Sequence, residues 1–231
     1  MSQVYVVLAA AGKGRRLEAV KPKQYLPLRG KPILAYSLLA FERHPGIDGL
    51  ILVVGAGWEQ NARRLAENMN LGKLTAIVTG GARRQESVYR GLLAVPKEAK
   101  IVLIHDAARP LVKQDLISRL IAAGERTGAA VPHVPLNDTV KLMGQNCLIE
   151  RTLERNRLLA AQTPQAFNST LILEAHEKAR ADNFIGTDDA VLVERLGLPV
   201  EAVSGQVSNF KITTEMDYRL AQLLMESKGE I

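Results

Sequence analysis

One cysteine, Cys147, stands among 231 residues, so the chain can form no internal disulfide and no cysteine-based metal cluster. The four histidines, His44, His105, His133 and His176, lie scattered without metal-ligand spacing. Aromatic residues make up only 4% of the chain, which is thin for a surface that stacks single-stranded bases. Zinc-finger and RNP-like patterns are absent, and no nucleic-acid partner is expected. No apolar run approaches the roughly 18–20 residues that span a bilayer, so no membrane partner is expected either. The apolar start, Met1–Ala11, lacks a basic leader and runs straight into Gly12-Lys13-Gly14-Arg15-Arg16. It reads as a buried strand rather than a signal peptide, and a cytoplasmic protein is expected.

What is present describes a globular chain, 47% hydrophobic and 23% charged. The formal net charge is +6. Part of it is local, because Lys13, Arg15, Arg16, Lys21 and Lys23 fall within one short stretch. A basic cluster beside glycines suits a compact anionic ligand such as a polyphosphate.

Apolar runs at Val4–Ala9, Ile47–Val54, Leu74–Thr79, Ile101–Ile104 and Ala129–Val134 have the length and β-branched content of strands buried on both faces. Helical stripes lie between them. One is Ile33, Leu34, Ser37, Leu38 and Phe41; another is Trp58, Ala62, Leu65, Ala66 and Met69; a third is Leu116, Ile117, Leu120 and Ile121. The alternation implies an α/β fold with a mostly parallel sheet and helices on both faces. From Thr139 to Leu153 the pattern changes to alternating apolar and polar residues around Gly144-Gln145-Asn146, which reads as a hairpin. A hairpin this small must pack on something, either a second subunit or its own domain. Helices are expected again at Ser169–Arg180 and Asp188–Leu196, then a strand pair near Val200–Val203 and Asn209–Ile212, and a last helix over Glu215–Glu226.

Three segments carry the chemistry. The first, Leu8 to Leu17 with Pro22-Lys23-Gln24, ends a strand in small residues and two glycines, which lets backbone N–H groups approach a phosphate beside Arg16 and Lys23. It is neither a dinucleotide fingerprint, since Leu17 stands in the third glycine's place, nor a P-loop. The second, His105-Asp106-Ala107-Ala108-Arg109-Pro110, ends another strand in the same sense. Asp106 suits Mg²⁺ or a substrate hydroxyl, or else caps a turn and pairs with Arg109. Arg109 suits a phosphate, and His105 reads as structural. The third set is dispersed: Gly80 to Val88, Asp138-Thr139, Thr163-Pro164-Gln165, Thr187-Asp188-Asp189 and Asn209 to Thr213. No Ser–His–Asp or Cys–His arrangement for covalent catalysis stands out.

Taken in order, LAAAGKGRRL, PKQYL, GGARRQESVYRGL, HDAARP, NDTVK, TPQAF, TDDA and NFKIT resemble the 2-C-methyl-D-erythritol 4-phosphate cytidylyltransferases over about Val4–Leu224. The resemblance implies a single Rossmann-like nucleotidyltransferase domain over 1–231, with a dimerisation arm at about 137–158. It implies CTP and 2-C-methyl-D-erythritol 4-phosphate as substrates, Mg²⁺ as divalent cation and a homodimer. By the same resemblance Arg16, Lys23, Arg155 and Lys211 are catalytic. Ala10, Ala11, Gly12, Gly14, Gly81, Ala82, Arg84, Ser87 and Asp106 bind CTP. Asp106, Arg109, Thr139, Arg155, Thr163 and Lys211 bind the acceptor, with Asp106 also a metal ligand beside the triphosphate. Ala82 stands where some relatives carry an acid. A pentitol-phosphate cytidylyltransferase and a nucleotide-binding module without turnover are the alternatives.

Overall fold

A computed structural model describes residues 3–12 and 21–226. The chain opens with β1 (Gln3–Ala10), a small ribbon of β2 (Pro27–Leu28) and β3 (Lys31–Pro32), and α1 (Ile33–Glu42). It continues through β4 (Gly49–Val54), α2 (Glu59–Asn68), β5 (Leu74–Thr79), α3 (Arg84–Leu92), β6 (Ala99–Asp106), α4 (Gln114–Thr127) and β7 (Ala129–Pro135). An arm follows, carrying β8 (Lys141–Met143) and β9 (Ile149–Thr152). The chain returns through β10 (Leu159–Ala161) and β11 (Gln165–Asn168), then α5 (Ser169–Ala181), α6 (Ala190–Glu194), β12 (Glu201–Ser204) and α7 (Glu215–Glu226).

The main sheet has eight strands in the order β10-β7-β11-β6-β1-β4-β5, with β12 paired to β7. The pairs β1–β4, β1–β6, β4–β5 and β12–β7 are parallel. β11 is antiparallel to both β6 and β7, and β10 is antiparallel to β7. These two reversed strands are absent from the sequence reading. Each is four residues or shorter, and β11 follows a proline, so neither has a periodicity long enough to stand out.

Residues alternate across the strands and build two cores. Val6 and Leu8 face α1, α2 and α4 through Leu34, Leu38, Ala62, Leu116 and Leu120. Val7, Ile51 and Val53 face α3, α5 and α6 through Val88, Ile172, Ala175, Leu192 and Val193. Helices therefore cover both faces. α3 comes close because Gly91 has no side chain: a Cβ there would lie 2.5 Å from Val7 Cγ1 and 2.7 Å from Val53 Cγ2. α4 ends at Gly128, whose φ of 81° is the left-handed cap conformation that glycine adopts without strain.

Two expectations need correction. Asn209–Ile212 is irregular rather than a strand; Ile212 N–H donates to the Ala108 carbonyl at 2.9 Å, but no ladder forms. The helix expected at Asp188–Leu196 is confined to α6, because the Asp188 carboxylate accepts the Val191 N–H at 3.1 Å and starts it late. In the arm, among the described residues, β8 and β9 pair only with each other. No helix among the described residues is long and apolar enough to cross a membrane.

Candidate active site

β1, β4, β5 and β6 run the same way, so their carboxyl ends share one edge of the sheet. β1 ends in buried Ala10, half-buried Ala11 and exposed Gly12. The Gln24 side-chain amide donates to the Ala10 carbonyl, and Ala107 N–H donates to the Ala9 carbonyl at 3.1 Å. β5 leads into Gly80, Gly81 and Ala82. A Cβ on Gly80 would lie 2.5 Å from Ala11 Cβ and 2.8 Å from Ser87 Oγ, so glycine lets these two turns meet. Ser87 Oγ accepts the Gly81 N–H at 3.0 Å and donates to the Arg83 carbonyl at 2.9 Å. Glu86 accepts the Ala82 N–H at 3.0 Å. Small residues thus bring the turn after β1 and the turn after β5 together at one edge of the sheet.

Asp106 ends β6 and sits between two cations. Its Oδ1 accepts from Arg84 Nε at 2.9 Å and its Oδ2 from Lys211 Nζ at 2.7 Å. Arg84 Nη1 also donates to Asp189 Oδ2 at 2.8 Å. Four charges of alternating sign therefore stand in a row: Lys211, Asp106, Arg84 and Asp189. Beyond them, His176 Nε2 lies 3.3 Å from Asp189 Oδ1. Burial alone would raise the Asp106 carboxyl, but the Arg84 and Lys211 cations outweigh it and hold it far below the usual range. Asp189 is lowered too, with burial opposed by Arg84 and His176. Burial works against the Arg84 charge, and the two carboxylates reverse that and raise its pKa.

Arg109 does not pair with Asp106 through side chains. Its N–H donates to the Asp106 carbonyl at 3.0 Å, and its Nη1 donates to the Asn209 carbonyl at 2.7 Å. The irregular segment around Asn209 is the hub of the site. Asn209 Nδ2 donates to the Thr163 carbonyl at 2.8 Å, Lys211 reaches Asp106, and the Ile212 carbonyl accepts Lys23 Nζ at 2.8 Å.

Thr163, joined to Pro164 by a cis peptide, precedes β11. Because β11 is reversed, its start lies beside the end of β6. The Thr163 hydroxyl accepts the Asp106 N–H at 3.1 Å and lies 3.0 Å from His105 Nδ1. His105 Nε2 lies 3.1 Å from the Arg109 carbonyl. His105 is fully buried, and burial, with the Arg109 and Arg84 charges nearby, lowers its pKa to about 4.

The structure thus gathers Lys23, Arg84, Asp106, Arg109, Thr163 and Lys211. Arg16 and Gly14 lie outside the described residues. Thr139 and Arg155 are exposed on the arm. The Arg155 guanidinium donates to the Asn137 carbonyl and lines a cleft of about 460 Å³ at the arm's root, with His133, Pro135 and Leu158. The sequence reading names Asp189 without its partner, and reads His105 as structural without its link to Thr163. Both contacts join residues far apart in sequence, and no local signal announces them.

A resident metal fits this donor set poorly. Among the described residues no group of three or more His, Cys, Asp or Glu can hold one. Both Asp106 oxygens are committed to cations, and a dication would add a third positive partner to one carboxylate. A divalent cation would have to arrive on a ligand's phosphates.

Residues 4–227 match the family described as IspD, 2-C-methyl-D-erythritol 4-phosphate cytidylyltransferase. The enzyme of that name from Desulforamulus reducens is 44% identical over 230 residues, covering 99% of this chain and 98% of its own. The one from Syntrophus aciditrophicus is 44% identical over 231 residues, covering 99% of each chain. Among solved structures, 4-diphosphocytidyl-2C-methyl-D-erythritol synthase from Anaerococcus prevotii superposes with a TM-score of 0.87 at 30% identity, covering 97% of this chain and 96% of that one. The Thermus thermophilus 2-C-methyl-D-erythritol 4-phosphate cytidylyltransferase gives a TM-score of 0.80 at 35% identity, covering 97% and 99%. With the match running from β1 through the last helix, the chain belongs to the 2-C-methyl-D-erythritol 4-phosphate cytidylyltransferase family.

Proposed function

We propose that the protein transfers CMP from CTP to 2-C-methyl-D-erythritol 4-phosphate, in the non-mevalonate route to isoprenoids. The observation that carries this reading is the lysine pair Lys23 and Lys211, both tied to one short segment at the carboxyl edge of the sheet. A phosphate oxygen of the acceptor attacks the α-phosphorus of CTP. That P–O bond forms as the bond to the α–β bridging oxygen breaks, and pyrophosphate leaves with the electron pair. No enzyme nucleophile is needed. Catalysis is positioning plus neutralisation of charge on the phosphoryl oxygens, supplied by Lys23, Lys211 and Arg16.

The backbone of Ala10–Gly12, Gly14 and Gly81–Ala82, with Ser87, receives the nucleotide. Arg84 belongs to the same nucleotide pocket, where Asp106 holds its Nε and Asp189 its Nη1. Asp106, Arg109 and Thr163 receive the acceptor. A divalent cation such as Mg²⁺ would be held by the triphosphate itself and would offset its charge there. Thr139 and Arg155 act on a neighbouring subunit's site, so the working unit is a homodimer of single-domain subunits joined through arm 137–158. The arm's bare apolar side chains support this, since Met143, Leu148 and Ile149 are 66%, 68% and 61% exposed. A cytoplasmic location suits a chain with a single cysteine.

The test is pyrophosphate release with Mg²⁺ and CTP, run in parallel with 2-C-methyl-D-erythritol 4-phosphate and ribitol 5-phosphate, and with UTP, ATP and GTP as controls. Release with CTP and the methylerythritol phosphate alone is expected. Release with ribitol 5-phosphate instead would move the protein to the pentitol branch. Binding of CTP without turnover of any pair would leave a binding module.

A further inference from the structure

We propose that His105 is a positioning residue that sets the polarity of the Thr163 hydroxyl, making it an acceptor of substrate O–H groups and not a donor to phosphate. The Arg109 carbonyl can only accept, so the His105 Nε2 that faces it at 3.1 Å carries a proton. In a neutral ring Nδ1 is then bare, and the Thr163 hydroxyl 3.0 Å away donates to it. The same hydroxyl oxygen already accepts the Asp106 N–H at 3.1 Å. A threonine hydroxyl has one proton and two lone pairs. The proton and one lone pair are used inside the protein, and one lone pair is left.

The opposite polarity would need a proton on Nδ1. Thr163 would then receive two donors and turn its own hydrogen outward. The surroundings oppose this: the ring is wholly buried, and a second ring proton would place a cation out of water. The contacts also explain how one residue reaches two parts of the site. His105 fixes the Thr163 hydroxyl through Nδ1 and the Arg109 backbone through Nε2, while Asp106 lies next to it in the chain.

This rests on the assignment of Thr163 to the acceptor pocket and deepens it. An oxygen that can only accept repels a phosphate and welcomes a hydroxyl. The hydroxyl-bearing end of the acceptor therefore belongs at Thr163, with its phosphate toward Lys23 and Lys211.

Two measurements test the proposal on the full-length protein. The first is ¹⁵N NMR of histidine-labelled protein without substrates, with His105→Asn used to assign the ring. A buried ring protonated at Nε2 and bare at Nδ1 is expected; a ring protonated at Nδ1, singly or doubly, would overturn the proposal. This readout needs no turnover, so it stands even if the cytidylyltransferase reading fails. The second is steady-state kinetics. His105→Leu removes the Nδ1 acceptor, frees the Thr163 proton, and should raise KM for the methylerythritol phosphate about tenfold while KM for CTP changes by less than about twofold. His105→Asn, whose amide oxygen can stand where Nδ1 stands, should recover most of that loss. An equal rise in both KM values, or no recovery by Asn in a folded variant, would reduce His105 to a packing role.

Discussion

Arg84 and Lys211 share one carboxylate, that of Asp106, from opposite sides. Arg84 is the common partner of Asp106 and Asp189, whose side chains are 10% and 1% exposed. Arg84→Met leaves two buried carboxylates without it and should lower the unfolding free energy by about 3–5 kcal/mol. Lys211 is 36% exposed, and its loss leaves Asp106 still paired with Arg84. Lys211→Met should cost about 1 kcal/mol or less, yet reduce turnover by a factor of about 10² or more. Urea unfolding and pyrophosphate release, measured on both variants, check this difference; equal destabilisation by the two would contradict it. A second expectation concerns pH. The folded His105 refuses a proton until about pH 4, whereas the unfolded chain takes it near pH 6.5. Between those values the unfolded state binds more protons, so stability falls as pH falls. From pH 7 to pH 5 the loss from His105 should be about 2 kcal/mol, and His105→Asn should flatten that slope. His44, also lowered chiefly by burial, acts in the same direction. Asp106 and Asp189 act in a lower window: their stabilisation is present above about pH 4 and is lost as the medium becomes more acidic.

At the scale of elements, α3 carries both Arg84 and the Ser87 that fixes Gly81, and its seat on the sheet depends on Gly91. Gly91→Ala would press a methyl into Val7 and Val53, and the helix would have to move. A loss of about 1–3 kcal/mol is expected, seen as a lower melting temperature, together with a higher KM for CTP. An unchanged melting temperature would mean that the sheet yields instead. The elements also differ in how readable they are. The stripe Ile33, Leu34, Ser37, Leu38 and Phe41 is wholly buried, and the runs that became β1, β4, β5, β6 and β7 are long enough to declare themselves. β11 is not, since its four residues become a strand only because β6 and β7 leave a gap of the right width between them. Asn209–Ile212 errs the other way. Its apolar residues alternate as in a strand, but its polar groups go to Ala108, Arg109, Lys23 and Thr163 and not to a ladder. The members of the site were readable as motifs. Their pairing was not, because Arg84 meets Asp189 and Asp106 meets Lys211 across more than a hundred residues of chain.

On the scale of the molecule, the alternation of strands and helices was enough to give the layered architecture, and the parallel direction of most strands put the motifs on one edge. The two reversed strands do what a purely parallel sheet could not. β10 brings the chain back to the strand it left, with Leu159 opposite Pro135, Ala160 opposite Val134 and Ala161 opposite His133. Everything between Pro135 and Leu159 is therefore a cassette, leaving and re-entering the body through facing residues. A change of length within such a cassette shifts no register in the sheet. Replacing residues 136–158 by Asn-Gly, a pair suited to a two-residue hairpin, should give a soluble body that keeps its circular dichroism but sediments as a monomer and releases no pyrophosphate. An arm-less chain that still dimerised would place the interface elsewhere. On the proposed exchange between subunits, the part of the molecule that completes its neighbour's chemistry is the part its own fold needs least.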